Sequence, residues 1–414
     1  RTVRHVVLST AGGEVGDDVR GALAEHAQVH DWTALLAGRS ETFDWPELDE
    51  RDAASMCYTS GTTGNPKGVV YSHRSTYLHS LYMTSGDVTG MRQGNRVLAV
   101  VPMFHANAWG LPYAAVLSGA SLLLPDRFLQ AAPLAAFIAA ERPTHAGAVP
   151  TIWNDLLDHL DANPSDVSSL DEVIVGGSAC PPALMRAYEE RHGIRIVHAW
   201  GMTEMSPIGT VGHPPAGLDP EEAFAYRVTQ GRIAGPVEAR LVGADGTEQP
   251  WDGKAVGELE VRGPWVTGGY YRDPDPAKFD EGWLRTGDVG VLSPDGYLTL
   301  TDRAKDVIKS GGEWISSVEL ENHLMAHPAV REASVVGVPD ERWGERPLAT
   351  VVVKDGATVT PEELRTFLAE RVAHWQLPER WAFIDEVPKT SVGKFDKKVI
   401  RSRYADGELQ VQTT

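Results

Sequence analysis

Short β-rich runs alternate with helix-length stretches from the first residue to about residue 200, a rhythm that few architectures allow. The runs VRHVVLST, RVLAVVPM, ASLLLP, HAGAVP, EVIVGG and RIVHAW are bounded by turn residues and are strand-like in length. Between them, APLAAFIAAER, TIWNDLLDHL and PPALMRAYEERHG have the length and spacing of helices. Such alternation predicts a layered α/β fold. From about 230 to 300 the pattern changes to short strands joined by Gly/Asp/Pro turns, as in AVGELEVRGP and GYLTLTDR. After Asp302 it changes again: VELENHLMAHP and TPEELRTFLAERV read as helices, and EASVVGVP and LATVVVKDG as strands. The expectation is an α/β chain with a large layered domain over 1–301, β-rich over 230–301, and a small α+β domain over 302–414. The closing ADGELQVQTT reads as a frayed polar tail. The opening RTVRHVVLST is already strand-like, so an upstream continuation is expected, without which apolar core surface would stand exposed.

The stretch YTSGTTGNPKGV, Tyr58 to Val69, places glycines and hydroxyls around a single cation, Lys67. Glycine lets main-chain N–H groups approach a ligand closely, and inward N–H and hydroxyl groups beside an ammonium form a cradle for phosphate oxygens. An ordinary surface loop has a similar composition. The P-loop pattern fails, because from Gly61 its second glycine falls on Pro66 and Lys67 is followed by Gly68. No G-x-G-x-x-G follows a strand here either, so a dinucleotide fold is unsupported.

A net charge of -19 argues against a partner nucleic acid wrapped by charge, and an anionic substrate then needs a locally positive pocket. Cys57 and Cys180 are the only cysteines, which excludes a disulfide scaffold and suits two small buried hydrophobes. No apolar run reaches the roughly 20 residues of a membrane span, and no leader pattern opens the chain. A cytoplasmic protein is expected, with peripheral membrane contact and a homodimer left open.

Five further stretches join the loop in order: GGSACPP (176–182), WGMTE (200–204), LRTGD (284–288), TDRAKDVIKSGGEWIS (301–316) and PKTSVGKFDK (388–397). Together they resemble the AMP-forming, adenylate-forming superfamily of acyl-CoA synthetases, adenylation domains and beetle luciferases. The resemblance covers nearly the whole chain, to about residue 405. It implies that Thr59, Ser60, Gly61, Thr62, Thr63, Gly64 and Lys67 hold the β- and γ-phosphates of ATP. It implies that Gly176, Gly177, Ser178, Trp200 and Gly201 lie at the adenine, and that Asp288 and Arg303 grip the ribose. Glu204 is then the Mg2+ ligand, a hard oxygen suited to that ion, and Thr203 bonds the phosphate or the acyl-adenylate. Lys394 matches the catalytic lysine, which stabilises charge on the α-phosphate as the carboxylate attacks.

Asp302 matches a hinge that swings the small domain between two half-reactions. Lys309, Ser310, Gly311, Gly312 and Glu313 then face the coenzyme A side in the second arrangement. The segment VPMFHANAWGLPY (101–113) resembles the acyl-tunnel lining of fatty acyl-CoA synthetases, with Ala106 in place of the usual valine. It implies that His105 lies near the reacting carboxylate and that Trp109 is the tunnel gate, although aromatics in apolar runs are more often core. The expected activity is ATP-dependent conversion of a medium- or long-chain fatty acid to acyl-AMP and then acyl-CoA. The rivals are an acyl-AMP ligase that loads a carrier protein and a noncatalytic nucleotide-binding relative.

Overall fold

Five parallel strands form the centre of a computed structural model that describes residues 3–9, 16–59, 66–243, 245–303, 306–311, 313–390 and 395–414. Ser60, Gly61, Thr62, Thr63, Gly64, Gly312 and Lys394 lie outside the described residues, as do the side chains of Asp302, Arg303 and Glu313. The chain divides into two units, 1–49 and 50–414. In the first, strand His5–Leu8 pairs in parallel with Gln28–Asp31, and the Asp31 carboxylate caps the helix Trp32–Leu36.

In the second unit the parallel strands run in the order Ser121–Leu123, Arg96–Ala99, His145–Ala148, Glu172–Val175, Arg195–Gly201. Side chains alternate between the two faces of each strand. Leu98, Ala146, Ala148, Val173, Val175 and Ile196 point to one face, into a core shared with helices Ala131–Glu141, Pro150–Ala162 and Pro182–His192. Val97, Ala99 and Val197 belong to a second core with Met83 and Leu111. Strand Ile208–Val211 joins the sheet antiparallel to Arg195–Gly201. Beyond it, Gly231–Ile233, Tyr297–Arg303, Trp283–Leu292, Gly257–Arg262 and Glu238–Val242 continue the same sheet. The β-rich segment thus extends the hydrogen-bonded ladder of the parallel strands, so one sheet joins the two halves of this region.

Two features sit on the edges of this frame. The hairpin Ala53–Tyr58 and Gly68–Ser72 is antiparallel, with Tyr58 opposite Gly68, and it carries the glycine- and hydroxyl-rich loop at its tip. Helices His73–Met83 and Leu111–Ser118 expose Tyr77, Leu81, Tyr113, Val116 and Leu117. Both cysteines are buried, and burial pushes the Cys57 thiol up.

After Ile308 a separate six-stranded sheet is built on the long hairpin Val330–Asp340 and Gly344–Val353. Helices Ser317–Met325, Pro361–Ala369 and Lys397–Ala405 accompany it, the second started by a capping box between Thr360 and Glu363. The C-terminal segment corrects the expectation of a frayed tail, since Val411–Thr413 pairs antiparallel with Arg380–Phe383. Leu409 and Val411 pack on the core of Val336, Leu348 and Ile400, and burying their apolar area outweighs the polar composition.

Candidate active site

Hydrogen bonds close the neck of the phosphate-type loop from both sides. The Thr59 N–H donates to the Lys67 carbonyl at 2.9 Å, and the Lys67 N–H donates to Thr59 Oγ1 at 3.0 Å. The Lys67 ammonium donates to Asp275 Oδ2 at 2.7 Å, with Asp273 at 3.7 Å and the Tyr270 ring at 4.9 Å. The bond to Asp275 raises the Lys67 ammonium above its ordinary range and holds the Asp275 carboxyl below its own. A phosphate arriving here would share Lys67 with that carboxylate.

Glu204 follows the end of strand Arg195–Gly201, in the short 3-10 turn Thr203–Met205, and is only 5% exposed. Tyr270 Oη donates to Glu204 Oε1 at 2.6 Å, and Tyr71 Oη donates to the Thr203 carbonyl at 2.6 Å. Burial, then the Glu204 charge, pushes the Tyr270 phenol up and keeps it a donor. One buried carboxylate, linked to the Lys67 side through Tyr270, fits Mg2+, which takes one or two carboxylates and completes its shell with other oxygens and water. Among the described residues no group of three His, Cys, Asp or Glu side chains is placed to hold a metal without such help.

Asp288 is 8% exposed and accepts the Trp200 indole N–H on Oδ2 at 2.7 Å. Trp200, which the resemblance puts at the adenine, is largely buried, lines the cavity and orients Asp288 through its N–H. Arg303 lies directly opposite Asp288 in the antiparallel pairing of their strands, and Asp302 lies opposite Val289.

His105 precedes an unusual turn. Ala106, Asn107, Ala108 and Trp109 have φ of 45, 54, 51 and 58°, and Gly110 follows at 74°. A left-handed conformation costs roughly 1–2 kcal/mol for each non-glycine residue, and such strain collects at functional sites. The Asn107 side chain holds the turn to the hairpin: its Nδ2 donates to Ser55 Oγ at 2.9 Å, and Cys57 Sγ donates to its Oδ1 at 3.3 Å. The turn lays the Trp109 ring on the sheet over two glycines. A Cβ at Gly147 would stand 3.4 Å from Trp109 Cε3, and one at Gly176 would stand 3.6 Å from its Cη2 and 2.9 Å from the Ala199 carbonyl.

Much of this constellation lines one cavity of about 820 Å³. It brings together Thr59, Lys67, His105, Trp109, Gly176, Gly177, Ser178, Trp200, Gly201, Thr203, Glu204 and Asp288. From the small domain come Asp306, Glu321, Phe395, Lys397 and Arg401. Lys397 Nζ lies 2.8 Å from Glu321 Oε1, and Arg401 donates to Asp306 Oδ1 at 2.8 Å. Phe395 bridges back to Lys389, so the residue that follows Lys394 in the chain is anchored at the cavity wall. Lys309, Ser310 and Gly311 do not line it. Ser310 Oγ instead accepts from Arg346 at 3.0 Å, and the Gly311 N–H donates to the Trp343 carbonyl at 2.8 Å.

A family model described as AMP-binding enzyme matches residues 5–271, and the model of the AMP-binding enzyme C-terminal domain matches 319–394. The chain belongs to the AMP-binding enzyme family. It is 46% identical to the 3-methylmercaptopropionyl-CoA ligase of Ruegeria pomeroyi, over 94% of this chain and 72% of that protein. It is 44% identical to the medium-chain-fatty-acid–CoA ligase of Ectopseudomonas oleovorans, over 90% of this chain and 69% of that protein. Among solved structures, the o-succinylbenzoate coenzyme A synthetase of Bacillus subtilis, in complex with ATP and magnesium ion, superimposes with a TM-score of 0.78. It is 27% identical, and the match covers 95% of this chain and 78% of that one.

In this AMP-binding enzyme the sequence reading missed the residues that brace the site, chiefly Tyr270 and Asp275. They lie in GGYYRDPDP, far from Lys67 in sequence and without a chemical pattern of their own. Gly147 and Ile174 were also missed as cavity floor. The period-2 alternation in HAGAVP and EVIVGG marks their face, but which face is open depends on the packing above it.

Proposed function

We propose that this AMP-binding enzyme joins a medium-chain fatty acid to coenzyme A at the expense of ATP. A carboxylate oxygen attacks the α-phosphorus and pyrophosphate leaves. The CoA sulfur then attacks the acyl carbonyl, its proton is lost, and AMP leaves. The observation that carries the reading is the course of the cavity along one sheet face. Ile174 and Glu172 line it on one strand with Gly176 just past its end, and Gly147 and His145 line it on the next. From Gly176 to Glu172 is four strand steps, about 13 Å at 3.3 Å each. A carbon zigzag advances about 1.25 Å per atom, so with the Trp109 ring swung off Gly147 and Gly176 the floor would match a chain of about ten carbons.

The thioether acid of the Ruegeria relative's name is the second reading, favoured by the identity to that protein. It would fill about half of this floor.

Lys67 and the Thr59 neck would hold the leaving phosphates, and Asp288, oriented by Trp200, the ribose. Bound Mg2+ at Glu204 would neutralise phosphate charge. Lys394, beside the cavity-lining Phe395, is assigned the α-phosphate, where a positioned ammonium stabilises the transition state. Lys309, Ser310 and Gly311 lie away from this cavity, which supports a second placement of the domain over 302–414, turned about Asp302, for the CoA step.

Pyrophosphate release over a panel of acids, with and without CoA, tests the proposal. Release that rises with chain length to about ten carbons, with acyl-CoA formed when CoA is added, is the expected result. Best activity on the methylthio acid replaces the substrate reading. Acyl-AMP that resists CoA but loads a carrier protein replaces the acceptor.

A further inference from the structure

We infer that His145 is the end-stop of the acyl tunnel, the side chain that limits acid length. This rests on reading the cavity as an acyl tunnel. His145 begins its strand and points to the same face as Gly147, so its ring stands at the far end of the floor from the nucleotide side. Both ring nitrogens are engaged. Nε2 lies 2.9 Å from the Thr89 carbonyl, which can only accept, so Nε2 carries the hydrogen; Nδ1 lies 2.8 Å from Thr144 Oγ1, whose single hydrogen it shares with the Arg96 carbonyl at 3.3 Å. Thr89 is tied in turn, its hydroxyl donating to the Met83 carbonyl and accepting from the Met91 N–H.

The ring is therefore a braced wall with no hydrogen-bonding atom to offer a substrate. On the neighbouring strand Glu172 occupies the same edge, held by Arg195 Nε at 3.1 Å with His213 Nε2 at 3.5 Å. Before this band the lining is apolar, from Leu111, Ile174 and Met83. A methyl end gains burial up to the His145 ring. Beyond it, the chain would have to displace bonded polar groups, which costs more than a methylene returns.

The test is kcat/KM for saturated acids of four to sixteen carbons, measured with wild type, His145→Ala and His145→Phe. In wild type each methylene should raise kcat/KM about fourfold until the tunnel is full, and activity should then fall. His145→Ala should move the cut-off to acids longer by about two to four carbons, at about 1.25 Å per carbon. His145→Phe refills the space without the hydrogen bonds and should return the cut-off to wild-type length or shorter. If thermal unfolding shows that His145→Ala does not fold, His145→Gln, which can still donate to the Thr89 carbonyl from a slimmer side chain, takes its place with the same expectation. An unmoved cut-off in the folded, shortened variant overturns the inference while leaving the acyl-tunnel reading intact. Wild-type activity that ignores chain length overturns that reading itself.

Discussion

Replacing Trp200 by Phe removes one hydrogen-bond donor and keeps most of the buried ring. The donor lost is the indole N–H, 2.7 Å from Oδ2 of a carboxylate that is 8% exposed. A hydrogen bond to a charged group contributes about 1.5–3 kcal/mol, and a buried acceptor left short of a partner recovers little of it. Unfolding entropy is about 2.1 cal/mol/K per residue, so over 414 residues the melting temperature should fall by roughly 2–3 °C. If Asp288 holds the ribose, part of the same energy appears in nucleotide binding, and KM for ATP should rise about tenfold. The chain-length profile should not move, because Asp288 is not part of the acyl floor. Steady-state pyrophosphate release against ATP, with calorimetry on the same samples, reads both effects. A destabilised variant with wild-type KM for ATP would mean that Trp200 braces the sheet and that Asp288 is not the ribose ligand. An unchanged variant would refute the hydrogen-bond argument altogether.

Lys67→Ala should raise KM for ATP at least tenfold with little loss of stability, since the partly exposed pairs it makes with Asp275 and Asp273 contribute little; ATP kinetics and melting curves check it. Lys394→Ala should slow acyl-AMP formation about 10²–10³-fold and spare conversion of supplied acyl-AMP with CoA, whereas Asp302→Pro should do the reverse. Equal slowing of both half-reactions by Lys394→Ala would argue against domain alternation. Acid should destabilise the fold well before the carboxylates titrate. Burial lowers the His79 imidazole to about 3, and burial likewise lowers His198. Both are neutral when folded and protonate near pH 6.5 when unfolded, so stability is level above that pH and falls below it. The slope reaches about 1.4 kcal/mol per pH unit for His79, and His198 adds to it in the same direction. Denaturant midpoints that stay flat from pH 7.5 to 5.5 would count against two buried neutral histidines.

Chemistry that resides in a contiguous segment was legible from residue order alone. The glycines and hydroxyls around Lys67, the acid of WGMTE and the acid of LRTGD each sit beside a strand-like run, and the ends of strands in an open α/β sheet are where ligands bind. Alternation of strand and helix determined the layers for the same local reason: side-chain period follows backbone geometry. What tertiary structure decided were pairings between segments far apart in the chain. Asp275 reaches Lys67 across 208 positions, and the Trp200 indole N–H reaches Asp288 across 88. Val411 became part of a strand, with Leu409 packed beside it, because a partner edge and an apolar core lay within reach, which a polar tail does not announce. The left-handed turn at Ala106–Trp109 is the extreme case, since no residue in it favours positive φ enough to predict it. Asn107 in that turn is held by Ser55 and Cys57, about fifty residues upstream, a contact that the local sequence does not reveal.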